Sequence, residues 1–176
     1  MRTVLIVAQS LDGFITQHDR PGTDWTSLAD KKWFRSCLAP FDASVMGRVT
    51  YEVSRDYILA HLSPHRSRVV MTQSPDLFQH DAQPPTLEFS AETAPQLVQR
   101  LSTMGRKHCA ILGGTKVHDA FFAAGLVDEV WTTLEPRVFG AGTPLTSIPH
   151  DVSLRLESHE RLPDSDSVLL RYTVVR

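Results

Sequence analysis

Val4-Leu5-Ile6-Val7-Ala8 is apolar without a break, and the polar pair Gln9-Ser10 follows at once. A strand with one wet face alternates, whereas a strand buried on both faces does not, so this run reads as a central strand covered by helices on either side. It is too short for the apolar core of a signal peptide or for a membrane span. Ala43–Met46, Val69–Met71, Thr86–Phe89, Cys109–Leu112 and Val127–Leu134 read as further strands. Helical spacing fills the intervals. Ser27–Cys37 places Leu28, Trp33, Phe34 and Leu38 on one face, with Ser27 as N-cap, and another helix opens at Arg48. Thr93 and Gln96 form a capping box ahead of a Leu97/Leu101/Met104 stripe that Gly105 stops, and a last helix through Val117, Phe121 and Phe122 ends at Gly125. Ser153–Glu157 and Val168–Val175 alternate about a Pro163-Asp164-Ser165-Asp166 turn and so predict a hairpin. The expected class is α/β: a mixed, mainly parallel central sheet flanked by helices, with a C-terminal antiparallel hairpin, in one domain over residues 1–176.

Charge and cysteine usage narrow the partners. With 18 basic and 20 acidic residues the net charge is −2, so neither a nucleic-acid nor a membrane surface is expected. Cys37 and Cys109 are far apart in sequence, which argues against a disulfide scaffold and suits the cytoplasm. The spacing of the histidines matches no zinc motif, so no metal is expected.

Three stretches carry chemistry. Asp30 falls on the helical face shared by Trp33, Phe34 and Cys37, because these positions lie three and four apart. A carboxylate among aromatic rings is a candidate acid or ligand anchor; the alternative is a surface Asp in the first turn, facing the positive end of the helix dipole. Gly47 ends a strand and Arg48 and Thr50 open a helix, an arrangement that makes an anion site unless it is an ordinary turn with a solvated Arg. Gly113-Gly114-Thr115-Lys116 repeats the pattern: two glycines between strand and helix let the backbone approach a phosphate, or simply serve a tight turn that needs positive φ. The residue order excludes a Walker loop. Arg48, Thr72 and Gly113 all stand at carboxyl ends of strands, where ligands bind in such sheets.

Trp25, Asp30, Trp33-Phe34 and Met46-Gly47-Arg48-Val49-Thr50 resemble the active-site half of dihydrofolate reductase. Ser10-Leu11-Asp12-Gly13-Phe14-Ile15 and Gly125-Leu126-Val127-Asp128-Glu129-Val130 resemble the reductase half of the bifunctional riboflavin-biosynthesis deaminase-reductase, the RibD C-terminal family. The two families share one fold, and the resemblance implies a dihydrofolate reductase-like domain. It implies NADPH as cofactor, hydride transfer to a pterin- or pyrimidine-type heterocycle, and a homodimer. The implied catalytic residues are Asp30 and, supporting it, Thr133. Gly47, Arg48, Thr50, Thr72, Ser74, Gly113, Gly114, Thr115 and Lys116 are the implied cofactor contacts, with Ile15 and the residues around Asp12 in the loop over the nicotinamide. Trp25, Trp33, Phe34 and Arg66 are the implied substrate contacts, with Arg68 competing for the place of Arg66.

Departures from both families leave the substrate open. Leu112 stands where the riboflavin-pathway reductases usually carry Glu, no Asp-Asp-Pro follows Thr50, and no zinc deaminase motif occurs. Gly140-Ala141-Gly142-Thr143 replaces the Gly-Asp-Thr of dihydrofolate reductase, and His118 takes a place often held by Tyr. A non-catalytic nucleotide-binding or dimerisation module on the same fold is the alternative.

Overall fold

The structure, a computed structural model, describes every residue from Met1 to Arg176. One sheet of eight strands runs through it: β1 (Arg2–Ser10), β2 (Ala43–Gly47), β3 (Ser67–Met71), β4 (Leu87–Ser90), β5 (His108–Ile111), β6 (Glu129–Glu135), β7 (Ser153–Arg161) and β8 (Val168–Val175). Their spatial order is β4-β3-β2-β5-β1-β6-β8-β7. The first six pair in parallel, β8 runs antiparallel to β6, and β7 closes the hairpin against β8. Four helices flank the sheet: α1 (Leu28–Cys37), α2 (Arg48–Ala60), α3 (Ala94–Thr103) and α4 (Thr115–Ala123).

The unbroken apolar run has the expected cause. β1 lies between β5 and β6, and Val4, Leu5 and Ile6 are buried. Alternation along the strands decides which helix each residue meets. Leu5, Val45, Val69 and Ile111 pack with Leu97 and Leu101 of α3 and Val117 and Phe121 of α4. The residues between them point the other way. Val4, Ile6 and Ala110 meet Trp33 and Phe34 of α1, while Met46 and Val70 meet Tyr51 and Ile58 of α2. Helices α1 and α2 therefore share one face of the sheet, with a cleft between them.

Two residues expected on apolar faces lie outside them. Leu28 is 76% exposed; at 3.6 residues per turn it stands about 140° around α1 from Trp33, off the stripe that Asp30, Trp33, Phe34 and Cys37 define. Met104 is the C-cap of α3 and half-exposed, while Leu97 and Leu101 are fully buried. The capping box of Thr93 and Gln96 forms as expected. No helix is long and apolar enough to cross a membrane.

The long loop after β1 is laced to the loop after β6. Asp12 accepts the N–H groups of Phe139 (3.0 Å) and Gly140 (2.7 Å), and Ile15 N–H donates to Thr143 O (2.8 Å). The loops approach so closely that a Cβ on Gly142 would clash with the backbone oxygen of Thr16, so glycine is required there. Hydrogen bonds from Ser10 and from these amides hold the Asp12 carboxyl below the usual aspartate range.

Candidate active site

Ser27 begins α1 in extended conformation, and its Oγ accepts the N–H of Asp30 at 3.1 Å. This cap fixes the first turn so that Asp30 faces the sheet. Thr133 meets it there: its hydroxyl, on a fully buried residue of β6, donates to Asp30 Oδ1 at 2.6 Å. Asp30 is 5% exposed yet lines the cleft between α1 and α2 together with Ile6, Trp33, Phe34 and Leu112. Burial raises its pKa, the hydroxyls of Thr133 and Thr26 oppose the rise, the nearby charge of Glu135 adds to it, and Lys31 lowers it. The result is a carboxyl that holds its proton to higher pH than an ordinary aspartate and presents it to a cleft.

On the other side of the cleft the two glycine turns meet. Gly47 N–H donates to Gly113 O at 2.7 Å, and a Cβ on Gly114 would lie 3.9 Å from Thr50 Oγ1. Gly47 is the N-cap of α2 and Gly114 the N-cap of α4, and no side chain caps either helix. Two helix N-termini with first-turn N–H groups uncapped by side chains thus stand side by side at the carboxyl ends of β2 and β5, an arrangement suited to phosphates. The peptide joining Gly113 to Gly114 is cis, and Gly113 has φ +88°. The positive φ of Gly113 bears out the tight-turn reading of this pair. Thr72, Ser74 and Lys116 line the same side of the cleft, as does Thr115, whose hydroxyl donates to Pro144 O.

The model of the RibD C-terminal domain matches residues 3–168. The chain belongs to the RibD C-terminal domain family. It is 28% identical to the uncharacterized protein YwjB of Bacillus subtilis, over 97% of each chain. Its fold is that of a pyrimidine reductase-like protein from Corynebacterium diphtheriae (TM-score 0.76, 16% identity, covering 99% of this chain and 92% of that one). It is equally that of dihydrofolate reductase from Enterococcus faecalis, solved with NADP(H) and RAB-propyl (TM-score 0.68, 20% identity, 99% and 97% covered).

Within this RibD C-terminal domain the anticipated residues divide. Asp30, Thr133, Trp33, Phe34, Gly47, Thr50, Gly113 and Gly114 come together as described. Arg48 stands at the cleft mouth, exposed, with both oxygens of Glu52 on its Nη1 (2.8 and 2.7 Å). Arg66 borders the cleft, but its guanidinium is engaged: it donates to Leu38 O (2.5 Å) and Phe41 O (2.9 Å), carbonyls at and beyond the end of α1. Arg68 is the more deeply buried of the two arginines and donates to His61 O at 2.7 Å. Trp25 faces elsewhere. It packs edge-on against Phe139, ring centroids 5.0 Å apart, and is not part of the cleft lining. Ile15 reaches the cleft, whereas Asp12 serves the loop lacing.

Sequence reasoning missed Glu135, and it marked His118 only as a departure at a place often held by Tyr. Glu135 is 2% exposed and lies behind Asp30, on the same side of β6 as Thr133. An acidic residue two positions beyond the supporting Thr, at the end of a strand, was the available signal. His118 is fully buried beneath Gly113, with Nδ1 2.9 Å from Leu145 O; burial lowers its pKa and keeps the ring neutral.

Proposed function

We propose that this RibD C-terminal domain is a reductase that uses NADPH to reduce a C=N bond of a pterin- or pyrimidine-type substrate, in the ring of a dihydrofolate or in the open-chain imine form of a 5-amino-6-ribosylaminouracil. The observation that carries this reading is the Asp30–Thr133 pair, a buried carboxyl held at 2.6 Å on the wall of an open cleft. The residues opposite fit a dinucleotide cofactor. The first-turn N–H groups of α2 and α4 would hold the phosphates, Gly47, Gly113 and Gly114 would let the backbone come close, and Thr50, Thr72, Ser74, Thr115 and Lys116 would flank them. NADPH, when bound, supplies the hydride.

The chain's own residues supply the rest. Trp33 and Phe34 give a flat ring an apolar wall, and Asp30 binds its N–H edge. Addition of hydride to the carbon of C=N leaves the nitrogen short of a proton, and the raised pKa of Asp30 keeps one at hand, delivered directly or through water. Thr133 holds the carboxyl in place for that transfer.

The deciding experiment follows NADPH oxidation with dihydrofolate, then with a ribosylaminopyrimidine, as acceptor. Oxidation dependent on either acceptor supports the reading. Binding of NADPH with no oxidation by either leaves the non-catalytic nucleotide-binding module in its place.

Arg48 belongs to the same reading through the 2′-phosphate that separates NADPH from NADH. Its present partner Glu52 is an exposed ion pair of the weak kind, which a phosphate displaces at little cost. Arg48→Ala is expected to weaken NADPH about tenfold or more and NADH by less than about twofold. Calorimetric titration of both cofactors checks this, and equal losses remove Arg48 from the phosphate site.

The reading extends to a homodimer working in the cytoplasm. β7 is the outer strand of the sheet and carries Leu154 and Leu156 exposed on one side, a long edge that a second copy would cover. Light scattering is expected to return twice the chain mass at micromolar concentration; a monomer removes the homodimer.

A further inference from the structure

Glu135 lines no part of the cleft and touches no group assigned above to substrate or cofactor. A carboxylate this buried is costly unless hydrogen bonds satisfy it, and no Lys or Arg pairs with it. Three donors do the work instead. Ser27 N–H reaches Oε2 at 3.1 Å, while the hydroxyls of Ser27 and Ser167 reach Oε1 at 3.0 and 2.8 Å. The hydroxyls of Ser167 and Ser165 stand 2.8 Å apart in the turn between β7 and β8.

The placement has a register. Thr133 and Glu135 are two residues apart on β6 and face the same way. Ser27 and Asp30 are three apart and share the first turn of α1. β6 therefore grips that turn at two points: Thr133 on the Asp30 side chain, Glu135 on the cap whose Oγ accepts the Asp30 N–H. A serine caps a helix without help from a buried acid, so capping alone does not account for Glu135.

We propose that Glu135 is a positioning residue for Asp30: it clamps the cap of α1 through both polar groups of Ser27 and ties it to the Ser165–Ser167 turn of the hairpin. The same carboxylate places negative charge behind Asp30 and helps to keep it protonated. The other ionisable groups near Asp30 are Lys31 and Cys37 on its own helix. Lys31 acts in the opposite sense, and burial pushes the Cys37 thiol up to about 12, with Arg171 of β8 opposing that rise. For its kinetic arm the proposal rests on the reductase reading.

The test is a ¹³C-carboxyl NMR titration of the full chain. In the parent protein the Asp30 Cγ resonance gives the Asp30 midpoint. In Glu135→Gln, which keeps the size and removes the charge, the Asp30 midpoint is expected to move to lower pH. The alkaline limb of the pH profile of kcat/KM moves with it, and kcat falls about tenfold with KM for NADPH unchanged. An unmoved Asp30 midpoint in Glu135→Gln overturns the proposal. If Glu135→Gln does not fold, Glu135→Asp decides, which keeps the charge and draws the carboxylate back from Ser27: a lowered Asp30 midpoint supports the clamp, and an unmoved one overturns it. A moved midpoint in a protein that reduces neither acceptor removes the reductase reading and leaves Glu135 positioning Asp30.

Discussion

Asp30→Asn is expected to lower kcat/KM for hydride transfer about 10²- to 10⁴-fold, the range lost with a positioned general acid, while NADPH affinity stays within about twofold. The separation follows from geometry: Asp30 stands on the α1 wall of the cleft, and the N-termini of α2 and α4 lie opposite. Asparagine keeps an oxygen that can accept from the Thr133 hydroxyl, so the packing survives and the proton is what is lost. In the parent, the raised pKa of Asp30 means that the competent, protonated form persists below that pKa and disappears as the pH rises through it. The rate is therefore expected to be flat on the acid side and to fall about tenfold per pH unit on the alkaline side, a limb that Asp30→Asn lacks.

Stability should move in the opposite direction to activity. A carboxyl whose folded pKa lies above its unfolded value favours the fold below the unfolded value, and that contribution is lost as the pH rises through the folded one. At neutral pH Asp30 is thus a burden on the fold, and Asp30→Asn is expected to melt at or above the parent temperature, with the gain shrinking as the pH falls. Thermal melts at neutral and acid pH, beside the kinetics, check both halves. Undiminished turnover in Asp30→Asn would withdraw the proton-donor role, and a lower melting temperature at neutral pH would mean that the carboxylate is favourably bound.

Why Asp30 and Thr133 were legible and Glu135 was not is a matter of period against register. Helical spacing puts Asp30 on the face of Trp33 and Phe34, and strand spacing puts Thr133 with Trp131 on one side of β6. Such periods give directions within an element. They do not say which residue of α1 lies against which residue of a strand more than a hundred positions later, and the resemblance to known reductases supplied that register for Thr133 alone. Glu135 has the same direction as Thr133, and its place two positions further on was the one available signal, but direction alone does not separate a buried acceptor of three hydrogen bonds from an ordinary strand-end acid. The arginines show the same limit. The resemblance offers Arg66, or Arg68 in its place, as a substrate contact, and both are engaged by carbonyls that other elements bring to them, although Nη1 of Arg68 keeps no partner. Trp25 sits in the right segment, yet the lacing of two loops by Asp12 offers it Phe139 as a neighbour instead of the cleft.

Gly113→Ala is expected to destabilise the protein by roughly 2–4 kcal/mol and to weaken NADPH about tenfold or more. Two independent costs add. A residue with a Cβ is disfavoured at φ +88°, and the new methyl would lie 2.9 Å from His118 Nε2 and 3.2 Å from Cε1. The imidazole cannot yield easily, because it is fully buried and bonded through Nδ1 to Leu145 O; that carbonyl only accepts, so Nδ1 carries the proton of the neutral ring. The backbone must move instead. Gly113 O accepts the N–H of Gly47, so a shift there disturbs the N-termini of α4 and α2 together and spreads the two sets of amides that would hold the cofactor. Denaturant unfolding and cofactor titration measure the two losses, and a cycle with His118→Ala separates their causes. Removing the ring relieves the contact and leaves the φ cost, so Gly113→Ala should be less harmful in the His118→Ala background by about 1–3 kcal/mol. Equal losses in both backgrounds would place the whole effect in the backbone, and a stable Gly113→Ala that binds NADPH like the parent would show that neither the turn nor its approach to a phosphate needs glycine.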